Sequence, residues 1–202
     1  MAPNLLRAAA ALAMVTFLSS CGSPSPGQAA HHPAPVSQSA DHDAADVAFA
    51  QEMIPHHRQA VDMAAMVPSR STNPDVRVMA THISWDQQAE ILTMTGLLAK
   101  WGEPVAADHG EHGTMPMPGM SAMPMPGMVD GATLDQIRSL SGSAFDDLWL
   151  TSMIDHHQGA VTMAHTEIAH GQSPDAIKLA EMIIAAQQRE IAQMNNLVSA
   201  RE

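Results

Sequence analysis

Phe49-Ala50-Gln51-Glu52-Met53-Ile54-Pro55-His56-His57-Arg58-Gln59-Ala60-Val61-Asp62-Met63-Ala64 decides the fold because it occurs twice. The second copy runs from Trp149 to Ala164 and repeats Met153, Ile154, His156, His157, Ala160, Val161, Met163 and Ala164, each displaced by 100 positions. A later segment keeps the same offset. Pro74-Asp75 returns as Pro174-Asp175, Gln87-Gln88 as Gln187-Gln188, Glu90-Ile91 as Glu190-Ile191, and Met94 as Met194. One register held across two separated segments identifies a tandem duplication of a two-helix unit.

Helix signals bound each unit. Asn73-Pro74-Asp75 and Ser173-Pro174-Asp175 place a capping residue before a first-turn proline and an acid. Gly171 marks a stop, and Ser143 with Asp146 has the spacing of a capping box. Helices are therefore expected over about 44–67, 74–100, 143–170 and 174–200. Pro55 predicts a kink or a late start in the first of them. The sum is an all-α four-helix bundle of two tandem hairpins. Repeat one covers 43–101, a Met/His-rich crossover 102–132, and repeat two 133–202.

Turning each residue by ~100° shows what faces inward. Phe49, Met53, His56, His57, Ala60, Met63, Ala64 and Val67 share an arc of about 120° on the first helix. Gln51, Arg58, Gln59 and Asp62 lie off it. Trp149, Met153, His156, His157, Ala160, Met163 and Ala164 repeat the arc on the third. The second helix turns Val76, Met79, Ala80, Ile83, Ile91, Met94 and Leu98 inward, together with Gln87 and Glu90. Leu179, Ile183, Ile191 and Met194, with Gln187 and Glu190, do the same on the fourth.

Imidazoles, amides and carboxylates on an apolar stripe need partners. One account is a polar network in which each Gln and Glu bonds the His pair of its neighbour. The other is a metal site in the bundle core. Paired histidines occurring twice, each with flanking methionines, favour the metal. The ligand set is then His56, His57, His156, His157, Met53, Met63, Met153, Met163, Met94 and Met194. Gln87, Glu90, Gln187 and Glu190 either ligate or, as favoured here, fix the imidazole tautomers from outside.

Donor softness selects among metals. Thioether with imidazole suits copper, Cu(I) above all. A ferritin-type di-iron centre wants Glu-x-x-His twice; Glu167-Ile168-Ala169-His170 has that spacing, but its repeat mate begins with Val67. A blue-copper carrier needs a cysteine, and the single Cys21 lies near the N-terminus. The crossover offers a second, flexible site. His109 and His112 lead into Met115, Met117 and Met120, then Met123, Met125 and Met128, spaced by prolines and glycines that forbid a helix. His31, His32 and His42 could add weak Cu(II) binding.

The N-terminus reads as an address. Arg7 precedes an apolar run from Ala8 to Leu18, too short to span a bilayer comfortably. Leu18-Ser19-Ser20-Cys21 looks like a bacterial lipobox, so residues 1–20 read as a lipoprotein signal, Cys21 as the lipidated anchor and 21–42 as a flexible tether. The expectation is an exported bacterial protein facing outward from the membrane. A net charge of −12 repels phosphate backbones and excludes nucleic acid as partner. No nucleophile sits beside a base and no glycine-rich phosphate loop occurs, so covalent catalysis is not indicated.

Met-Ile-x-His-His-x-x-Ala-Val-x-Met-Ala, twice, each copy followed by Gln-x-x-Glu-Ile-x-x-Met, resembles the family catalogued as domain of unknown function 305. The resemblance covers about residues 43–200 and implies a ferritin-like helical bundle, export and, for some members, copper binding linked to copper tolerance. It points to His56, His57, His156, His157 and the neighbouring methionines. The expected function is a lipid-anchored copper-binding protein that buffers or sequesters Cu(I), with a copper-transfer protein as a candidate partner. The alternatives are a redox-active metal oxidase on the same bundle, and a structural or interaction module without metal.

Overall fold

A computed structural model describes residues 41–105 and 125–200. The expected signal segment, Cys21, most of the tether and crossover residues 106–124 lie outside the described residues. The chain forms α1 (Ala44–Arg70), α2 (Pro74–Trp101), α3 (Gly131–Ser139), α4 (Gly142–His170) and α5 (Pro174–Ser199). The four long helices match the expected ones to within a turn at each end. α1 packs on α2 and α4 on α5 as two hairpins, which meet across α1–α4 and α2–α5. No helix among the described residues is long and apolar enough to cross a membrane.

Caps set the boundaries. Asp43 and Asp46 form a capping box on α1, Asn73 Oδ1 accepts the Asp75 and Val76 N–H groups, and Ser173 Oγ accepts that of Ala176. Gly102 ends α2 in the left-handed region at φ 76°. Pro55 does not delay α1, which runs unbroken through it and through Pro68. Proline inside a helix costs ~3 kcal/mol. Here Phe49, Ala50, Met53 and Ile54 before it, and His56 and His57 after it, are all buried, and that packing holds the helix together. The Ser143/Asp146 capping box does not form: α4 starts at Gly142 behind Ser141, with no side-chain cap. The short α3 was not expected. It is capped by Asp130, buries only Ile137, and corresponds by the repeat offset to tether positions, so neither periodicity nor duplication signalled it.

A polar clamp ties the start of α1 to the α4–α5 turn. Asp46, fully buried, accepts the N–H groups of Asp43 (2.6 Å), Gln172 (3.1 Å) and Ser173 (2.9 Å). Gly171 stops α4 at φ −69°, so handedness is not why glycine stands there. Any Cβ would collide with Glu167 Oε1 and approach Asp46 Oδ1 to 2.8 Å. Burial, then the hydrogen bond and charge of Asp46, push the Glu167 carboxyl up to about 8.

Asp46→Ala strands several buried N–H groups and is expected to lower the unfolding free energy by about 2–4 kcal/mol in urea denaturation; a loss below about 1 kcal/mol would contradict the clamp. A carboxyl whose folded pKa is raised keeps its proton where the unfolded chain has lost it. Glu167 thus makes stability decline as pH rises from 4.5 towards about 8. Glu167→Gln should flatten that part of the stability–pH curve.

Candidate metal centre

The inward arcs converge as expected. His56, His57, His156 and His157 are all fully buried, and the His56 and His156 rings face each other across the α1–α4 contact with centroids 3.8 Å apart. Each repeat builds the same unit. His56 and His57 lie 6.4 Å apart at 54°, His156 and His157 6.3 Å apart at 56°. His57 Nε2 is 2.8 Å from Glu90 Oε2, and His157 Nε2 is 2.8 Å from Glu190 Oε2. Gln87 and Gln187 are buried on the facing helices.

The network is incomplete. His56 Nδ1, His57 Nδ1, His156 Nδ1 and Nε2, and His157 Nδ1 are buried without a hydrogen-bond partner, as are Gln87 Oε1 and both polar atoms of the Gln187 amide. Burial, then the neighbouring imidazole, holds His56 and His57 down to about 3, and His156 well below the usual range. These rings are neutral at physiological pH, the form that binds metal. Burial, then the charge of Glu190, pushes Glu90 up to about 8.

The six methionines of the expected ligand set are all buried, but in two groups. Met53, Met94 and Met163 belong to one apolar cluster, with Phe49, Leu98 and Leu179. Met63, Met153 and Met194 belong to the other, with Val76, Phe145 and Trp149. The repeat offset exchanges the two triads. Along α1 and α4 the His pair falls between the stretches contributed to each cluster, so an imidazole layer is flanked by a thioether triad on either side. Among the described residues, no three imidazole or carboxylate groups already surround one point that could hold an ion. The nitrogen donors come in pairs, and the methionines lie in the apolar clusters to either side of them along α1 and α4.

The sequence profile of a domain of unknown function, DUF305, matches residues 46–198. The chain belongs to the DUF305 family. A candidate secreted DUF305 protein from Streptomyces coelicolor is 32% identical, with a TM-score of 0.68 over 80% of this chain and 94% of that one. CopM in its Cu(I)-bound form is 31% identical, with a TM-score of 0.61 over 77% and 96%. CopM in its Cu(II)-bound form is 32% identical, with a TM-score of 0.64 over 78% and 97%. None of these is named as an enzyme, and no curated protein matches the chain.

In this DUF305 domain the crossover departs from the two-fold pattern. Met125 to Met128 forms a turn, Met128 N–H donating to Met125 O, with Pro126 and Gly127 (φ 76°) as its central residues, as a type II turn requires. The turn is strapped over the α1–α4 contact. His56 Nε2 donates to Pro126 O (3.0 Å), while Gln59 bonds both the N–H (2.8 Å) and the C=O (2.9 Å) of Val129. Gly159 lets the strap close. A Cβ there would collide with Pro126 O, and one on Gly127 would meet Asp155 O at 2.7 Å. Gln59 and Gly159 are repeat mates that differ, and that mismatch was the overlooked signal. Met125 and Met128 lie half-buried in the strap; His109, His112, Met115, Met117, Met120 and Met123 lie outside the described residues. His42 stacks on Trp101, centroids 4.8 Å apart, well away from the layer. His170 is exposed and bonded to Thr166 O, and Glu167 belongs to the Asp46 clamp, so no Glu-x-x-His site forms.

Gly159→Ala should lift the strap without replacing a histidine. Hydrogen exchange at the Val129 amide is expected to accelerate by about tenfold or more, the equivalent of ~1.4 kcal/mol of lost hydrogen bonding. Unchanged protection there would show that the strap does not depend on this close approach.

Proposed function

We propose that the domain binds copper, Cu(I) in preference, through His56, His57, His156 and His157 with thioethers of the flanking triads. The observation that carries this is the set of buried imidazole nitrogens without partners. A purely structural polar network would satisfy them, since an unpaired buried polar atom costs about 1–3 kcal/mol. The donor set fits a soft ion. His56, His57 and His156 are held neutral, and Met53, Met94 and Met163 on one side and Met63, Met153 and Met194 on the other need no deprotonation to ligate. Glu90 and Glu190 sit at the Nε2 atoms of His57 and His157, the outer position that orients a ligating imidazole and leaves Nδ1 for the metal. Likeness to CopM, solved with Cu(I), Cu(II) and Ag, supports copper as the metal.

The wider role proposed is copper buffering or sequestration outside the cytoplasm, on a lipid anchor at Cys21. His109, His112, Met115, Met117, Met120, Met123, Met125 and Met128 form a second, weaker site that gathers metal for the core or passes it to a partner.

Anaerobic Cu(I) titration against a chromophoric chelator tests the core. Because the strap is structural, the loop control replaces Met115, Met117, Met120 and Met123 by Leu instead of deleting the segment. At free Cu(I) one hundred times Kd, wild type and loop control should gain about 2.7 kcal/mol of stability. His56→Ala/His156→Ala should gain none. Equal, weak binding by all three proteins would refute the histidine site.

A further inference from the structure

The four imidazoles have no exposed surface of their own. Any ion reaching them must pass a face of the bundle, and the two faces over the histidine layer differ. On the α1–α4 face the strap lies backbone against backbone on Gly159, and its Pro126 carbonyl accepts from His56 Nε2. A cavity of about 230 Å³ beside the strap is bordered by Phe49, Glu52, Met163 and Glu167, and no histidine lines it. On the α2–α5 face the layer reaches solvent through its carboxyl groups. The Glu90 side chain is 15% exposed and that of Glu190 11%, each hydrogen-bonded to a histidine that is wholly buried.

Over Glu190 lies a cavity of about 250 Å³, lined by His82, Trp85 and Asp86 of α2 and by Arg189, Glu190 and Gln193 of α5. Its polar groups are not a by-product of the duplication. The repeat mates of His82, Asp86, Arg189 and Gln193 are Met182, Ala186, Ala89 and Thr93. His82 and Asp86 are spaced i, i+4 on one helix face, so an imidazole and a carboxylate stand together at the mouth. Arg189 is the one guanidinium group of a lining that also holds the carboxyl groups of Asp86 and Glu190.

We propose that this cavity is the port by which copper enters and leaves the histidine layer, with His82 and Asp86 as outer acceptors and Glu190 as the link to His157. The proposal rests on the copper-binding reading above and adds the route. A cation held briefly between His82 and Asp86 is carried inward past the carboxyl group already bonded to His157. The α1–α4 face stays shut. Oxygen and nitrogen donors at the mouth accept the ion without holding it as tightly as the thioether-flanked interior.

The test is anaerobic stopped-flow transfer of Cu(I) from and to a coloured chelator, in the background with Met115, Met117, Met120 and Met123 replaced by Leu. The variants are His82→Gln/Asp86→Asn and, to plug the cavity, Ala186→Trp, each checked for unchanged melting of the metal-free protein. Uptake and release rates should fall together by at least about tenfold, with Kd within about twofold of wild type. Unchanged rates in the double variant, with the plugged protein folded, overturn the port. So does faster exchange in Gly159→Ala with no effect of the other two, which would place the route under the strap. If transfer is the same in His56→Ala/His156→Ala as in wild type, the histidine reading itself fails, and the port with it.

Discussion

Everything in this bundle is arranged around four imidazoles packed with no surface open to solvent. Burying a polar ring is costly unless its nitrogens are bonded. Two of the rings meet their own hairpin's glutamate, one meets the strap, and the remaining nitrogens meet nothing. The protein keeps His56, His57 and His156 neutral instead, at the expense of stability in acid. Below pH 6.5 the unfolded chain takes up protons that His56 and His57 refuse until about 3, so lowering the pH favours unfolding. Burial of the carboxyl groups opposes this in part, because Glu90 retains its proton up to about 8. A core of leucines would serve folding better. What this core holds instead is a set of buried imidazole nitrogens without hydrogen-bond partners.

The duplication supplies one half of the design and its violations the other. An approximate two-fold relation sets the His pairs face to face and exchanges the methionine triads, so each triad draws Met53 and Met94, or Met153 and Met194, from one repeat and one methionine from the other. Neither hairpin assembles a triad alone. The clearest departures from the two-fold pattern are Gln59 against Gly159 on one face, and His82, Asp86 and Arg189 against Met182, Ala186 and Ala89 on the other. The first pair seats a strap; the second set lines a cavity.

Much of this was legible in the sequence, for a physical reason. Helix ends follow local capping chemistry, and inward arcs follow a period of 3.6 residues, so Asn73, Ser173 and the arcs from Phe49 to Val67 and Trp149 to Ala164 could be read directly. The His–Glu pairing followed from the same arcs. What stayed hidden depends on contacts with no period. α3 and the strap lie in the crossover, where neither the helical repeat nor the offset of 100 applies. The Asp46 clamp joins residues 127 positions apart through backbone N–H groups, which a side-chain pattern does not record. Pro55 misled because its local cost is real but is outweighed by the packing on both sides of it. The division of the methionines was invisible because all six occupy similar arcs; only the antiparallel crossing of α1 and α4 sorts them into opposite ends.

The strap also makes the two halves chemically unequal. His56 donates its Nε2 proton to Pro126 and so presents only Nδ1 as a lone pair, whereas both nitrogens of His156 are without partners. The rings stand 3.8 Å apart, so a charge brought to one is felt by the other, and a first cation should settle on the side where fewer hydrogen bonds must break. That side belongs to repeat two. Glu190, which carries the path inward from the cavity, is bonded to His157, the neighbour of His156 in the same repeat. The freer imidazole and the carboxyl group that lines the cavity therefore lie in the same repeat, although one results from a strap on α1–α4 and the other from side chains on α2–α5. Loss of two-fold symmetry at both faces leaves the two halves of one imidazole layer unequal, in their hydrogen bonds on one face and in the side chains around their carboxyl groups on the other.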